Sequence, residues 1–311
     1  MSVPHRLSSE FVHGVRRAHP DAGQAWLDEL PGLQHRLASL WSLRLRDWLP
    51  SRGSCVIRAV TVNDEPVVVK IPVIPSDTIS ERLVLEYWDG DAAARLLGAD
   101  TASGALLVEW VQGRPFGEEV DAPRTLRRAG DYLRELHRRR HATPPSLPTL
   151  EQKLAPWRRS RERRETANGG ASVLEASSPG REAAVRGWLA DSADDGGGAV
   201  IHGDLHPRNL LVRPDASLVA IDPYGVRGDP ARDAASLGLF FREDSRATRR
   251  LDALAESAEL DPVRVAAHAY LLAVGAHRFR TAYDIPDGRR FLVDVIGDLE
   301  RRLSGVIAPQ S

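Results

Sequence analysis

"VIHGDLHPRNLLV", residues 200–212, places two histidines, an aspartate and an asparagine between apolar flanks. Three chemistries compete for such a stretch. A zinc hydrolase would set His202 and His206 one turn apart on a helix, with a glutamate directly after the first histidine. Gly203 occupies that glutamate position, and Gly203 and Pro207 both disfavour a helix, so the stretch reads as a loop. A loop tied together by His–Asp hydrogen bonds alone is the second reading. The third is phosphoryl transfer. Asp204 and Asn209 lie between two strand-like runs, "AVIH" and "LLV", and "VAIDP" puts Asp222 at the end of the next apolar run. Kinase chemistry needs one carboxylate to orient and deprotonate an acceptor hydroxyl. It also needs an amide oxygen and a further carboxylate to hold Mg²⁺ on the nucleotide phosphates. The spacing favours this third reading and makes the stretch a catalytic loop.

The rest of the chain permits it. A length of 311 residues with 42% hydrophobic and 27% charged residues is an ordinary globular composition, enough for one large or two modest domains. A formal net charge of -1 gives no general reason to expect nucleic acid or an anionic membrane as partner. The single cysteine, Cys55, excludes an internal disulfide and a cysteine-rich zinc site. The opening "MSVPHRLSSEFVHGVRR" lacks the apolar core of a secretory signal, and no run approaches the roughly 18 apolar residues of a membrane span. The expected location is the cytoplasm. Basic residues are nearly all arginine, with Lys70 and Lys153 the only lysines, so a lysine in a special position is informative.

Apolar residues at helical spacing in "QAWLDELPGLQHRLASLWSLRLRDWL" predict a helical preface broken at Pro31 and Gly32. "SCVIRAVTV" and "PVVVKIPVI" read as a hairpin of β-branched strands. "SERLVLEYWDGDAAARLL" reads as a helix that Ser80 could cap, and "ALLVEWV" as another strand. From about residue 121 the pattern is mainly helical, except for the short apolar runs of 199–222. The predicted partition is an N-terminal nucleotide-binding lobe over 1–110, with its helical extension, and a helical C-terminal lobe over 111–311. The second would carry the catalytic loop and acceptor site. The fold class is α+β, a small β-rich lobe followed by a larger, mainly helical one.

"HGDLHPRNLL", "IDP" and "GVRGDPARDAA" together resemble the signatures of aminoglycoside phosphotransferases and related small-molecule kinases, which share the protein-kinase-like fold. The resemblance implies that Asp204 is the catalytic base, that Asn209 and Asp222 bind magnesium, and that His202 and His206 support the loop. It implies ATP and Mg²⁺ as cofactors. Asp229 and Asp233 belong to the same signature and would brace the loop or cap the next helix.

The amino-terminal half offers a separate test. Such a lobe needs a strand cation on the phosphates and a helix carboxylate to hold that cation. Lys70 ends "VVVK", and Glu81 and Glu86 on the following helix are the candidate partners. The resemblance prefers Glu81, from its offset to Gly90, and leaves Glu86 as a solvated residue. "SRGSC" could close over phosphates through Ser51, Gly53 and Ser54, although one glycine makes no Walker loop. "LLVEWV" is similar to an inter-lobe hinge, where the backbone of Glu109, Trp110 and Val111 would meet the adenine edge. Trp110 as a plain core residue is the alternative.

Within the family, the "WL" preface, "WDGDAAARLL", "LLVEWVQGRPF" and "IHGDLHPRNLL" look most like streptomycin 6-phosphotransferases and hydroxyurea resistance kinases. This implies transfer to a streptomycin hydroxyl and antibiotic resistance. Guanidinium groups on that acceptor call for carboxylates, with Glu243, Asp244, Asp284 and Asp287 as possible sources and solvated charges as the plainer reading. Residues 158–180 read as a lid or a flexible linker. The expected partner is a small-molecule aminoglycoside, with no nucleic acid or membrane, and the expected state a monomer. A kinase for another alcohol (choline, fructosamine, homoserine or a sugar) and a non-enzymatic nucleotide-binding relative stay open. The second is weakened by the presence of Lys70, Asp204, Asn209 and Asp222 together.

Overall fold

The computed structural model describes residues 7–49, 51, 54–116, 123–138, 143–155, 180–191, 198–241, 246–282 and 285–307. The chain divides into two compact units, Met1–Gln112 and Gly113–Ser311.

The first unit begins with α1 (Ser9–Ala18) and α2 (Gly23–Leu40). The Ser8 hydroxyl accepts from the Phe11 N–H and starts α1. Pro31 lies inside α2 and does not break it. An internal proline costs a helix ~3 kcal/mol. Burial of Trp26, Leu30 and Leu37 on both sides of Pro31 offsets that cost, since such side chains contribute roughly 1.5–3 kcal/mol each.

Five strands follow, β1 (Arg44–Leu49), β2 (Ser54–Val60), β3 (Pro66–Pro72), β4 (Leu96–Asp100) and β5 (Ala105–Glu109), with α3 (Ile79–Trp88) between β3 and β4. They form an antiparallel sheet of order β1-β2-β3-β5-β4. The segment of β1, expected as helix, is a strand. Leu43 and Leu45 alternate with arginines, and pairing with β2 satisfies its backbone, with an irregularity between Leu45 and Trp48. The helix expected through "WDGDAAARLL" stops at Trp88. Asp89 and Gly90 take left-handed backbone there, and β4 is the strand that the reading missed. Ser80 does not cap α3; it is buried within the first turn, while the Thr78 hydroxyl donates to the Gly104 carbonyl at 2.6 Å.

One face of the sheet (Cys55, Ile57, Ala59, Val67, Val69, Ile71 and Leu107) forms a buried cluster with Val15, Trp26, Leu30 and Leu37 of α1 and α2. Period-two alternation therefore turns Val56, Arg58, Val68, Lys70 and Val108 to the other face, where none of these is fully buried.

The second unit contains β6 (Arg114–Pro115), α4 (Pro123–His137), α5 (Arg181–Asp191), β7 (Ala199–Ile201), β8 (Leu210–Val212), β9 (Leu218–Ala220), β10 (Val226–Gly228), α6 (Ala231–Phe240), α7 (Ala247–Ser257), α8 (Pro262–Ala282) and α9 (Arg289–Leu303). β6, β8 and β9 make one small sheet, and β7 and β10 another. β10 pairs antiparallel with β7, Val226 opposite Ile201, and so brings the chain after Ile201 beside the chain before Val226. Among the described residues no helix is long and apolar enough to cross a membrane.

Candidate active site

In the first unit Lys70 Nζ lies 2.6 Å from Glu81 Oε2, both side chains largely buried. Glu86 faces elsewhere, paired with Arg82 at 2.7 Å. Five residues along a helix is a rotation of about 140°, so only one of the two glutamates can face β3. The register sets Val56 opposite Lys70 and Ser54 opposite Pro72, which places the start of β2 at the Lys70 end of the sheet. There the Ser51 hydroxyl donates to the Ser54 carbonyl, and Ser54 is buried; Gly53 lies outside the described residues.

Glu109 pairs with Val67, three residues along β3 from Lys70, a separation of roughly 10 Å. Its N–H donates to the Arg95 carbonyl at 2.9 Å, and its carboxylate accepts from the Arg95 N–H at 3.1 Å. These bonds commit its N–H and its carboxylate to Arg95. Trp110 is half-buried with the Arg58 guanidinium 5.7 Å from its ring centre, and Arg58 also pairs with Asp47. Val111 is buried.

In the second unit, Asp204 and Asn209 sit on the loop between β7 and β8, and Asp222 lies between β9 and β10. Asn209 is buried, and its Nδ2 donates to the Asp204 carbonyl at 3.1 Å. That bond leaves the amide oxygen to serve as an acceptor or ligand. The Asn209 carbonyl accepts from the Ile221 N–H at 2.9 Å, which couples the two loop segments. Asp222 is exposed with φ 58°, a left-handed conformation that aspartate adopts more readily than most residues. Gly203 has φ 83°, and a Cβ there would fall 2.8 Å from Val226 Cγ2, so only glycine fits.

His202 is fully buried. Its Nε2–H donates to the Ile221 carbonyl at 2.9 Å and its Nδ1 accepts from the Asp204 N–H at 3.2 Å, an arrangement that assigns one neutral tautomer. Burial holds its pKa below the ordinary range. Both nitrogens are occupied, which closes the zinc reading for this residue. His206 supports the loop through its backbone: its N–H donates to the Asp204 carbonyl at 2.9 Å and its carbonyl accepts from the Asn209 N–H at 2.8 Å. Its Nε2 is 4.0 Å from Asp204 Oδ2, too far for a hydrogen bond.

Of the two aspartates of the expected signature, Asp233 braces this loop and Asp229 caps the next helix. Asp233, in the first turn of α6 and fully buried, accepts from the His202 N–H at 2.8 Å, the Gly203 N–H at 2.9 Å and His137 Nε2 at 2.9 Å. Burial works to raise its pKa, but these bonds and the His137 charge outweigh it and the net shift is downward. Asp229 caps α6 through the Ala231 N–H at 2.9 Å and binds Arg264 at 2.6 Å and His268 at 3.0 Å. Burial opposes these partners, which still bring its pKa down to about 2. His137, Arg264 and His268 were not among the sequence candidates. The spacing of Arg264 and His268, four apart on one helix face, was the available signal; His137 carried none.

Burial first, then the negative charges of Asp222 and Asp233, push the Asp204 carboxyl up to about 7 against the lowering effect of Arg232. A carboxylate with that proton affinity suits general-base work near neutrality. Among the described residues no group of three or more His, Cys, Asp or Glu side chains could hold a metal ion unaided. Mg²⁺ is usually bound by one or two protein oxygens and completed by water and phosphate oxygens. Asn209 Oδ1 and the Asp222 carboxylate are hard oxygen donors of that kind. Of the acidic residues considered for the acceptor, Glu243, Asp244 and Asp284 lie outside the described residues, as does most of 158–180. Asp287 is exposed, and its carbonyl accepts from Arg280 at 2.8 Å.

The family model for aminoglycoside/hydroxyurea antibiotic resistance kinases matches residues 44–281. A streptomycin 6-kinase of Streptomyces griseus is 28% identical over 308 residues, covering 90% of this chain and 94% of its own. A streptomycin 3''-kinase of Klebsiella pneumoniae is 31% identical over 204 residues, 63% of this chain and 69% of its own. The solved structure of choline kinase LicA from Streptococcus pneumoniae superposes with a TM-score of 0.61 at 17% identity, covering 89% of this chain and 99% of that one. Likeness of this kind shows the fold, which is the two-lobed, protein-kinase-like α+β fold.

Proposed function

The chain belongs to the aminoglycoside/hydroxyurea antibiotic resistance kinase family, and on that basis we propose that it transfers the γ-phosphate of ATP, with Mg²⁺, to a hydroxyl of streptomycin. The carrying observation is the loop in which Asp204, Asn209 and the residues flanking Asp222 are tied by hydrogen bonds around His202 and Asp233. The chain is a small-molecule kinase with an alcohol as acceptor. ATP, Mg²⁺ and streptomycin are the finer readings. The 6-hydroxyl is favoured because the 6-kinase relative aligns over nearly the whole of both chains.

In this reading Asp204 accepts the proton of the acceptor hydroxyl as its oxygen bonds to the γ-phosphorus, and the bond to the leaving ADP oxygen breaks. Lys70, held by Glu81, neutralises phosphate charge. Asn209 Oδ1 and Asp222 would hold the magnesium, which supplies charge stabilisation on the phosphates. Val56, Val68 and Val108 offer an apolar face to the base, and the Glu109 carbonyl an edge contact.

The deciding experiment follows ADP release by purified protein with Mg²⁺ and ATP. The acceptors are streptomycin, a 2-deoxystreptamine aminoglycoside, hydroxyurea, choline, homoserine and simple sugars. Streptomycin-dependent release, with one phosphate added to the drug at the 6-hydroxyl by mass and NMR, is the expected result. Stimulation by another acceptor instead would overturn the substrate assignment.

Two further results are expected. In Asp222→Ala, nucleotide affinity measured by calorimetry becomes equal in magnesium and in EDTA, whereas the parent protein binds more tightly with the metal. Arg58→Ala removes the guanidinium above Trp110 and loosens the segment that would meet the base, so ATP binding weakens by about threefold, the size of an exposed cation–π contact. Streptomycin binding in that variant stays unchanged.

A further inference from the structure

We propose that Tyr224 is a specificity-determining residue of the acceptor site, its ring supplying the face on which a guanidinium group of a cationic acceptor stacks. This rests on the kinase reading above and names a recognition element within it. The residue is held by its backbone at the catalytic loop. Its N–H donates to the His202 carbonyl at 2.9 Å, and a Cβ at Gly203 would lie 3.2 Å from Tyr224 Cβ, so the side chain departs beside the residue that precedes Asp204. Asp222 turns the chain through its left-handed backbone. Pro223 and Gly225 are buried, while Asp222 and Tyr224 are open to solvent, Tyr224 to 37%.

A polycationic acceptor must be met by anions or by π faces, and among the described residues the carboxylates around this loop are committed. Asp233 is fully buried against His137 and two loop N–H groups. Asp229 is answered by Arg264, His268 and the start of α6. Asp204 and Asp222 are assigned to proton and metal. Another carboxylate near Asp204 would also raise further the proton affinity of the base by like-charge repulsion. An aromatic face attracts a guanidinium without adding a formal charge. Tyr224 is an exposed aromatic residue whose main chain is bonded to this loop.

The test compares Tyr224→Leu and Tyr224→Phe in steady-state kinetics and by calorimetry with streptomycin itself. Loss of the ring in Tyr224→Leu raises the streptomycin KM and Kd about tenfold, a loss at the stronger end for cation–π pairs. The KM for ATP stays within about twofold, and Tyr224→Phe restores the parent values because the ring, not the hydroxyl, makes the contact. An unchanged streptomycin KM in Tyr224→Leu overturns the inference and leaves the kinase reading standing. A Tyr224→Phe variant as impaired as Tyr224→Leu also overturns it, since the hydroxyl would then be the recognition group. If the parent protein phosphorylates no streptomycin and an uncharged alcohol instead, the substrate reading fails and the inference with it. A cationic acceptor other than streptomycin would be tested with the same two variants and the same criterion.

Discussion

Asp204→Asn loses about 10³-fold in transfer rate, within the range that general-base removal costs, while ATP affinity stays within about twofold and the protein becomes more stable at neutral pH. The gain in stability separates a base from a residue that merely holds the fold. The Asp204 carboxyl rises from its ordinary 3.8 to about 7 in the folded chain, through burial first and the Asp222 charge second. Between those values the folded state binds more protons than the unfolded one, so this group's contribution to stability falls as pH rises from about 4 to about 7 and is level above. Asparagine carries no such penalty. A rise of that size corresponds to ~4 kcal/mol, but the side chain is 37% exposed. Solvent screening reduces the gain expected in the variant at pH 8 to ~1–2 kcal/mol, a few degrees in Tm.

Thermal melts of both proteins at pH 5 and pH 8, in EDTA, check this. The difference should be large at pH 8 and small at pH 5. A difference independent of pH would mean that Asp204 keeps an ordinary carboxyl pKa. On the proposed reading magnesium at Asp222 would offset one of the two nearby negative charges, so the melts with metal and nucleotide should show a smaller difference than those in EDTA.

The parts of this molecule that were legible in the sequence are those whose physical cause is local. The β2–β3 hairpin followed from two short runs rich in β-branched residues, and the structure joins the two strands in full register from Ser54–Pro72 to Val60–Pro66. The loop between β7 and β8 declared itself because Gly203 and Pro207 deny it an α-helix, leaving only the short 3-10 turn Pro207–Asn209. Non-local causes left less trace. The segment of β1 fits a helical and an alternating pattern alike, and only pairing with β2 decides between them. Pro31 stands within α2 because the apolar cluster beneath it outweighs the local penalty. β10 has three residues, too few for a periodicity, and exists through its pairing with β7. Glu81 and Glu86 could not be separated by spacing alone; the rotation of α3 above Lys70 separates them.

His137 was wholly illegible, since it meets Asp233 from 96 residues away, and that contact sets the second large expectation. Asp233→Asn should cost ~3–5 kcal/mol, as when one partner of a buried charged network is removed, and should reduce turnover in proportion to the loss of loop order. The carboxylate is fully buried. Its Oδ1 accepts from the Gly203 N–H, and its Oδ2 from both the His202 N–H and His137. An amide keeps one oxygen and turns an NH₂ toward a buried donor, so at least one donor is left without an acceptor. The pH signature is the reverse of that at Asp204. Burial raises the Asp233 pKa, but its partners lower it further, so the folded value lies below the unfolded one. Its contribution is complete above the unfolded pKa of about 4 and is lost only as pH falls through the folded value. Parent and variant should therefore differ by the same amount at pH 6 and pH 8 and converge only in acid. Amide exchange at Gly203 and His202 should rise in the variant at neutral pH. If those amides stay protected while stability falls, the bracing of the catalytic loop belongs to the His202–Ile221 and Tyr224–His202 bonds, and Asp233 serves the packing of α6 against α4 instead.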